Sequence, residues 1–128
     1  MMRRMHEAKL RGDAQFSVWG TGRPLREFLY SSDVADACIF LMEDCKQGGE
    51  YFNLGNGGNE ISIWDTARVM QRVVGYSGEL VFDTAKPDGE YRKTIDSSKL
   101  MNLGWKPKID FEEGVRKLYD YYLKTCNL

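Results

Sequence analysis

The chain has 128 residues, 42% of them hydrophobic and 29% charged, a composition within the range of one soluble globular domain and outside that of disordered or fibrous proteins. Its formal net charge of -1 leaves no basic field to collect nucleic acid or an anionic membrane, so any bound anion must be held locally. Three cysteines, Cys38, Cys45 and Cys126, form an odd set without metal-ligand spacing, which speaks against a disulfide framework or a zinc site and for a reducing, cytoplasmic setting.

Met1, Met5, Ala8 and Leu10 recur near helical spacing and Gly12-Asp13 supplies a stop, which predicts an opening helix. No turn or capping residue precedes this pattern, so the helix is expected to begin upstream of Met1. No secretory leader is expected, because the charged start is not followed by an apolar run. The run 16–19 reads as a strand ended by the tight turn Gly20-Thr21-Gly22-Arg23-Pro24, and an extended stretch follows over 26–30. Ser32 and Asp33 are expected to cap a helix whose Val34, Ala37, Cys38, Leu41, Met42 and Cys45 share one apolar face and which ends at Gly48-Gly49. A strand is predicted over 51–54, then a glycine-rich turn over 55–59, then a helix over 63–74 with the capping pair Ser62 and Asp65 and Gly75 just past its end. The remaining elements are a strand over 80–83, a turn at Lys86-Pro87-Asp88-Gly89, a short helix over 97–102 capped by Asp96, and a final helix opened by Asp110 and Glu113. That last helix carries Phe111, Val115, Leu118, Tyr119 and Tyr122 on one face. Alternating short strands and helices give an α/β fold of mixed α+β character with a small sheet.

Catalytic constellations are thin. Neither Gly20-Thr21-Gly22 nor Gly55-Asn56-Gly57-Gly58 matches a phosphate-binding glycine motif, and both read as turns. His6, on a charged helix face, is the sole histidine and is assigned a solvated or packing role; Cys38 and Cys45 read as small core hydrophobes. The residues suited to an anionic, polyhydroxylated ligand are Arg4, Trp19, Arg23, Arg26, Asp88, Arg92 and Lys93: guanidinium forks match phosphate, an indole face stacks on a base or sugar, and a carboxylate accepts hydroxyl hydrogens. Each has a plainer alternative, as solvated arginines, a core tryptophan, and an aspartate that only holds its turn.

The segment from Val18 through Trp19-Gly20-Thr21-Gly22-Arg23-Pro24-Leu25-Arg26-Glu27-Phe28 to Tyr30 closely resembles the W-G-[TS]-G-x-P-x-R-E-F-[LI] stretch of GDP-L-fucose synthases, members of the extended short-chain dehydrogenase/reductase family. Arg3-Arg4-Met5-His6-Glu7-Ala8, Asn53-Leu54-Gly55-Asn56-Gly57 and Phe82-Asp83-Thr84-Ala85-Lys86-Pro87-Asp88-Gly89 with Arg92-Lys93 resemble further motifs of the same family. The resemblance implies a GDP-sugar substrate, with Arg4, Trp19, Arg26 and Asp88 at substrate-binding positions. The family enzyme epimerises GDP-4-keto-6-deoxy-D-mannose at C3 and C5 and reduces C4 with NADPH, giving GDP-L-fucose.

The family's dinucleotide-binding glycines, Ser and Tyr-x-x-x-Lys reductase residues, and Cys/His acid-base pair have no counterpart in this sequence. Residues 1–128 are therefore expected to be the C-terminal substrate-binding part, without the Rossmann cofactor domain, without catalytic residues of their own and without affinity for NADP. Such a chain would associate with an N-terminal cofactor-domain chain or with itself, through an unpaired strand at 51–54 and exposed apolar surface. The alternatives are a free-standing nucleotide-sugar-binding module, a structural remnant, and part of another sugar-nucleotide epimerase or dehydratase.

Overall fold

The structure, a computed structural model, describes residues 1–44 and 49–125. Cys45, Gly48 and Cys126 lie outside the described residues, and so do the readings made for them.

A helix, α1 (Met2–Arg11), ends at Gly12, whose φ of 70° closes the last turn with its N–H on Ala8 and Lys9 carbonyls. Strand β1 (Gln15–Trp19) follows and alternates, with Phe16 and Val18 buried and Gln15, Ser17 and Trp19 outward. The short β2 (Leu25–Glu27) leads into α2 (Ser31–Asp44), then β3 (Glu60–Ser62), α3 (Ile63–Val74), β4 (Glu79–Asp83), β5 (Arg92–Lys93), α4 (Ser98–Asn102) and α5 (Phe111–Thr125). β1 and β4 pair in parallel, with Trp19 opposite Asp83. β2 is the centre of a second sheet, antiparallel to β3 and parallel to β5, with Arg26 opposite Ile61 and Lys93.

The main core lies where α1 and α3 cover one face of β1 and β4. Met5, Ala8, Phe16, Val18, Ala67 and Val74 fill it, and Tyr119 of α5 closes it from the side. A second core joins α2 to α4 through Ala37, Leu100 and Trp105. The expected bounds of α3 hold: Ser62 Oγ accepts from Asp65 N–H at 3.0 Å, and Gly75 ends the helix at φ 68°. Asp110 likewise opens α5 by accepting from Glu113 N–H at 2.8 Å.

Residues 51–54, expected as a strand left unpaired in this chain, pair with no strand among the described residues, whereas several other expectations fail for identifiable reasons. Phe52 and Leu54 do turn inward in strand-like alternation, but they pack on the second core, Asn53 donates to the Asp96 carbonyl, and Lys99 donates to the Tyr51 carbonyl. Cys38 is exposed and Met42 is 83% exposed, because α2 turns Ala37, Phe40 and Leu41 to its neighbours instead. Leu10 on α1 and Leu118 on α5 also face outward. Asp33 does not cap its helix; it is buried, and its Oδ2 accepts from the backbone N–H groups of Lys108 and Ile109 at 3.1 and 3.0 Å. His6 is buried rather than set on a charged face, and its Nδ1 lies 2.8 Å from the Tyr119 hydroxyl. Sequence reading also missed β3 and β5, strands of three and two residues whose formation depends on β2 lying between them.

Candidate functional site

Strand β1 delivers Trp19 to the start of the β1–β2 loop. Pairing with β4 stops there, where Gly20 N–H donates to the Asp83 carbonyl at 3.0 Å. Gly20 and Gly22 then adopt φ of 82° and 78°, values that favour glycine. Space enforces the same choice: a Cβ on Gly20 would stand 2.2 Å from Asp88 Oδ1, and one on Gly22 would stand 2.5 Å from the Phe82 ring. Phe82 is in turn stacked on Trp64 at 4.4 Å between centroids.

Asp88 reaches over this loop from the β4–β5 connection. Its Oδ1 accepts from Thr21 N–H at 2.8 Å and its Oδ2 from the Thr21 hydroxyl at 2.6 Å. These two bonds, the hydroxyl's first, hold the Asp88 carboxyl below the usual carboxylate range, with a smaller contribution from the nearby Arg23 guanidinium. Arg26, on β2, fastens the other end of the same connection. Its Nη1 donates to the carbonyls of Leu25 at 2.6 Å and Glu90 at 2.9 Å, and its Nη2 lies 3.2 Å from where a Cβ on Gly89 would stand. Leu25 N–H adds a 2.8 Å bond to the Tyr91 carbonyl.

Three of the four sequence-derived binding residues, Trp19 at the end of β1, Arg26 on β2 and Asp88 on the β4–β5 connection, therefore belong to segments bonded to one another. Trp19 is 67% exposed, so no described residue buries it, and Lys86 Nζ lies 5.8 Å from its ring centroid. Asp88 does not spend its carboxylate on its own turn, as the plainer reading had it; both oxygens accept from Thr21 on the β1–β2 loop. Arg4 sits further back. From α1 it lies over the Phe16 ring at 5.2 Å and donates to the Ser17 carbonyl at 3.2 Å, two residues and roughly 7 Å along the strand from Trp19. Arg23 and Lys93 are exposed beside this cluster. Arg92 is committed elsewhere, since its guanidinium forks onto both oxygens of Glu60 at 2.7 and 2.5 Å and ties β5 to β3 across β2.

The residues that sequence reasoning passed over are Thr21 and Lys86. Thr21 was read only as part of a turn, and nothing in its spacing announces a partner 67 residues later.

Neither the Gly20–Gly22 loop nor the N-terminus of α3 offers a cradle for the nicotinamide dinucleotide that the family resemblance implies. The Gly20–Gly22 loop leads into a strand rather than a helix, and protein side chains fill the space beside both glycines. The N-terminus of α3 carries Asp65, which would repel phosphate. Among the described residues there is also no group of three or more side chains suited to hold a metal ion, and no helix long and apolar enough to cross a membrane. A hollow of about 440 Å³ between Phe28, Asn59 and Lys108 lies apart from the Trp19 loops and gathers none of the four binding residues.

Residues 1–55 match the NAD dependent epimerase/dehydratase family. The whole chain is more informative: it is 51% identical to GDP-L-fucose synthase 1 of Arabidopsis thaliana over 99% of its own length and 39% of that protein's. The chain is a homologue of the C-terminal part of the GDP-L-fucose synthases. A GDP-L-fucose synthase of Sinorhizobium fredii is 45% identical over 98% of this chain and 39% of its own length. Among solved structures, the NADP-bound GDP-L-fucose synthetase of Naegleria fowleri superposes with a TM-score of 0.88 at 30% identity, covering 98% of this chain and 39% of that one. The fold is thus that of the matching part of an extended short-chain dehydrogenase/reductase, and residues 1–128 span 39% of the length of these synthases.

Proposed function

We propose that residues 1–128 form the nucleotide-sugar-binding domain of a GDP-L-fucose synthase-like enzyme, one that converts GDP-4-keto-6-deoxy-D-mannose to GDP-L-fucose with NADPH in the cytoplasm. The observation that carries this reading is Trp19: a large indole, 67% exposed, at the point where β1 opens into a loop held by Asp88. An exposed aromatic face on a fixed loop, with the Lys86 ammonium beside it, suits a nucleotide sugar. Trp19 would stack on the base or the sugar. Arg4 and Arg26 would offer donors to the diphosphate, and Asp88 would accept from sugar hydroxyls. Proton transfer and hydride delivery are assigned to a separate cofactor-binding part, because the residues that carry them in the resembled family have no counterpart in this sequence.

Calorimetric titration with GDP-mannose, GDP and NADPH tests the reading directly. Micromolar to millimolar binding of the GDP ligands, weakened about tenfold or more in Arg26→Ala and Trp19→Ala and absent for NADPH, is the expected result. Mixing with the separately prepared cofactor-binding part of a homologous fucose synthase should then restore NADPH oxidation. A folded chain that binds no GDP ligand, either alone or in that mixture, would overturn the assignment.

A further inference from the structure

The backbone path of the 84–91 connection is set without Thr21. Gly20 N–H and Lys86 N–H both bond to the Asp83 carbonyl, Arg26 holds the Glu90 carbonyl, and Leu25 N–H holds that of Tyr91. What Thr21 adds is different in kind, because both of its polar donors end on one exposed carboxylate, 2.8 Å to Oδ1 and 2.6 Å to Oδ2. The Thr21 hydroxyl also accepts from Arg23 N–H at 3.2 Å, so its own proton is committed to Asp88. A bare carboxylate on a surface loop would sample several rotamers; this one is gripped at both oxygens. A carboxylate offers about four lone-pair positions, so two bonds leave one free acceptor position on each oxygen. Gly20 supplies the remaining condition, since any side chain there would collide with Oδ1.

We propose that Thr21 is a positioning residue of the nucleotide-sugar site, fixing the direction of the Asp88 carboxylate so that its free lone pairs meet the hydroxyls of the sugar rather than the nucleotide. This rests on the reading of Asp88 as a ligand contact. Its substance is that discrimination for the glycosyl half of the ligand depends on a hydroxyl that need not touch the ligand. Thr21→Val preserves the side-chain shape and the backbone N–H but removes the hydroxyl donor. Thr21→Ser restores the donor.

Two measurements on the whole chain separate this from a merely structural role. The first is the carboxyl titration of Asp88 by carbon-13 NMR in the free protein, where Thr21→Val should move Asp88 up toward the ordinary carboxylate range and Thr21→Ser should not. The second is the affinity for GDP-mannose set against that for GDP. Thr21→Val should weaken GDP-mannose about tenfold and GDP less than about twofold, with Thr21→Ser close to the parent protein in both. Equal weakening of the two ligands, an unchanged ratio in Thr21→Val, or a folded Thr21→Ser that behaves like the valine variant would overturn the proposal. If the parent protein binds neither ligand, the reading of the site fails, and the positioning role fails with it. The Asp88 titration then still decides whether Thr21 grips the carboxylate.

Discussion

Trp105 Nε1 donates to Asp36 Oδ2 at 2.9 Å, while Lys108 Nζ meets the other oxygen of the same carboxylate at 2.7 Å. The indole is buried against Ala37 and Leu100, so this pair joins α2 to the 105–108 segment by packing as well as by charge. Trp105→Ala should lower the unfolding free energy by about 3–5 kcal/mol, the range for emptying a large aromatic from a core. Asp36→Asn keeps an acceptor for the indole and should lose much less. Urea denaturation of both variants checks the order, and an Asp36→Asn effect as large as that of Trp105→Ala would show that the carboxylate rather than the packing holds the segment.

Acid should destabilise the chain through several carboxylates at once. Asp36 is held below its ordinary range by Lys108 and then Trp105, Asp88 by Thr21, Asp96 by Ser98, and Glu112 by Arg72 and then Arg116. A carboxylate whose folded pKa is depressed contributes stability that is fully present above its unfolded pKa and lost as pH falls through the folded value. Stability should therefore be flat near neutrality and decline below about pH 4, measured as the urea midpoint at successive pH values. A midpoint that holds constant down to about pH 3 would contradict these shifts.

The alkaline side has a different origin. Burial raises the phenols of Tyr76 and Tyr119, with smaller contributions from Asp13 and Tyr122 respectively. A raised phenol favours the folded chain's neutral form, so its contribution is present below the unfolded pKa and lost as pH rises above about 10. Tyr119 also bonds to His6, whose Nε2 is buried without a partner among the described residues. Tyr119→Phe removes the remaining bond and should cost about 1–3 kcal/mol in chemical denaturation, whereas an unchanged midpoint would mean that the imidazole finds another partner.

Two glycines, Gly58 in the turn before β3 and Gly22 in the site loop, separate backbone strain from collision. Gly58 has φ 80° and open space around it, so Gly58→Ala should cost only about 1–2 kcal/mol of left-handed strain. Gly22→Ala meets comparable φ strain and also drives a Cβ to 2.5 Å from the Phe82 ring, which is stacked on Trp64. Its loss should be larger by about 1–3 kcal/mol, the scale of overpacking, and its tryptophan fluorescence should change. Equal losses at the two positions would mean that the Phe82–Trp64 stack moves aside freely.

Local chemistry wrote much of this molecule into its sequence. The bounds of α3 follow from Ser62 and Gly75, the start of α5 from Asp110, and the turn after β1 from Gly20 and Gly22, because caps and turns act within a few residues. The motif around Trp19 and Arg26 likewise carried the family, which the 51% identity to a fucose synthase bears out. Tertiary structure alone decided which face of α2 is covered, what 51–54 packs against, why His6 is buried and what Asp33 bonds to, since each depends on a partner distant in sequence. The same holds at the site: Trp19 is exposed because nothing among the described residues covers the outer face of β1, and Asp88 is fixed because the fold brings Thr21 to it across 67 residues.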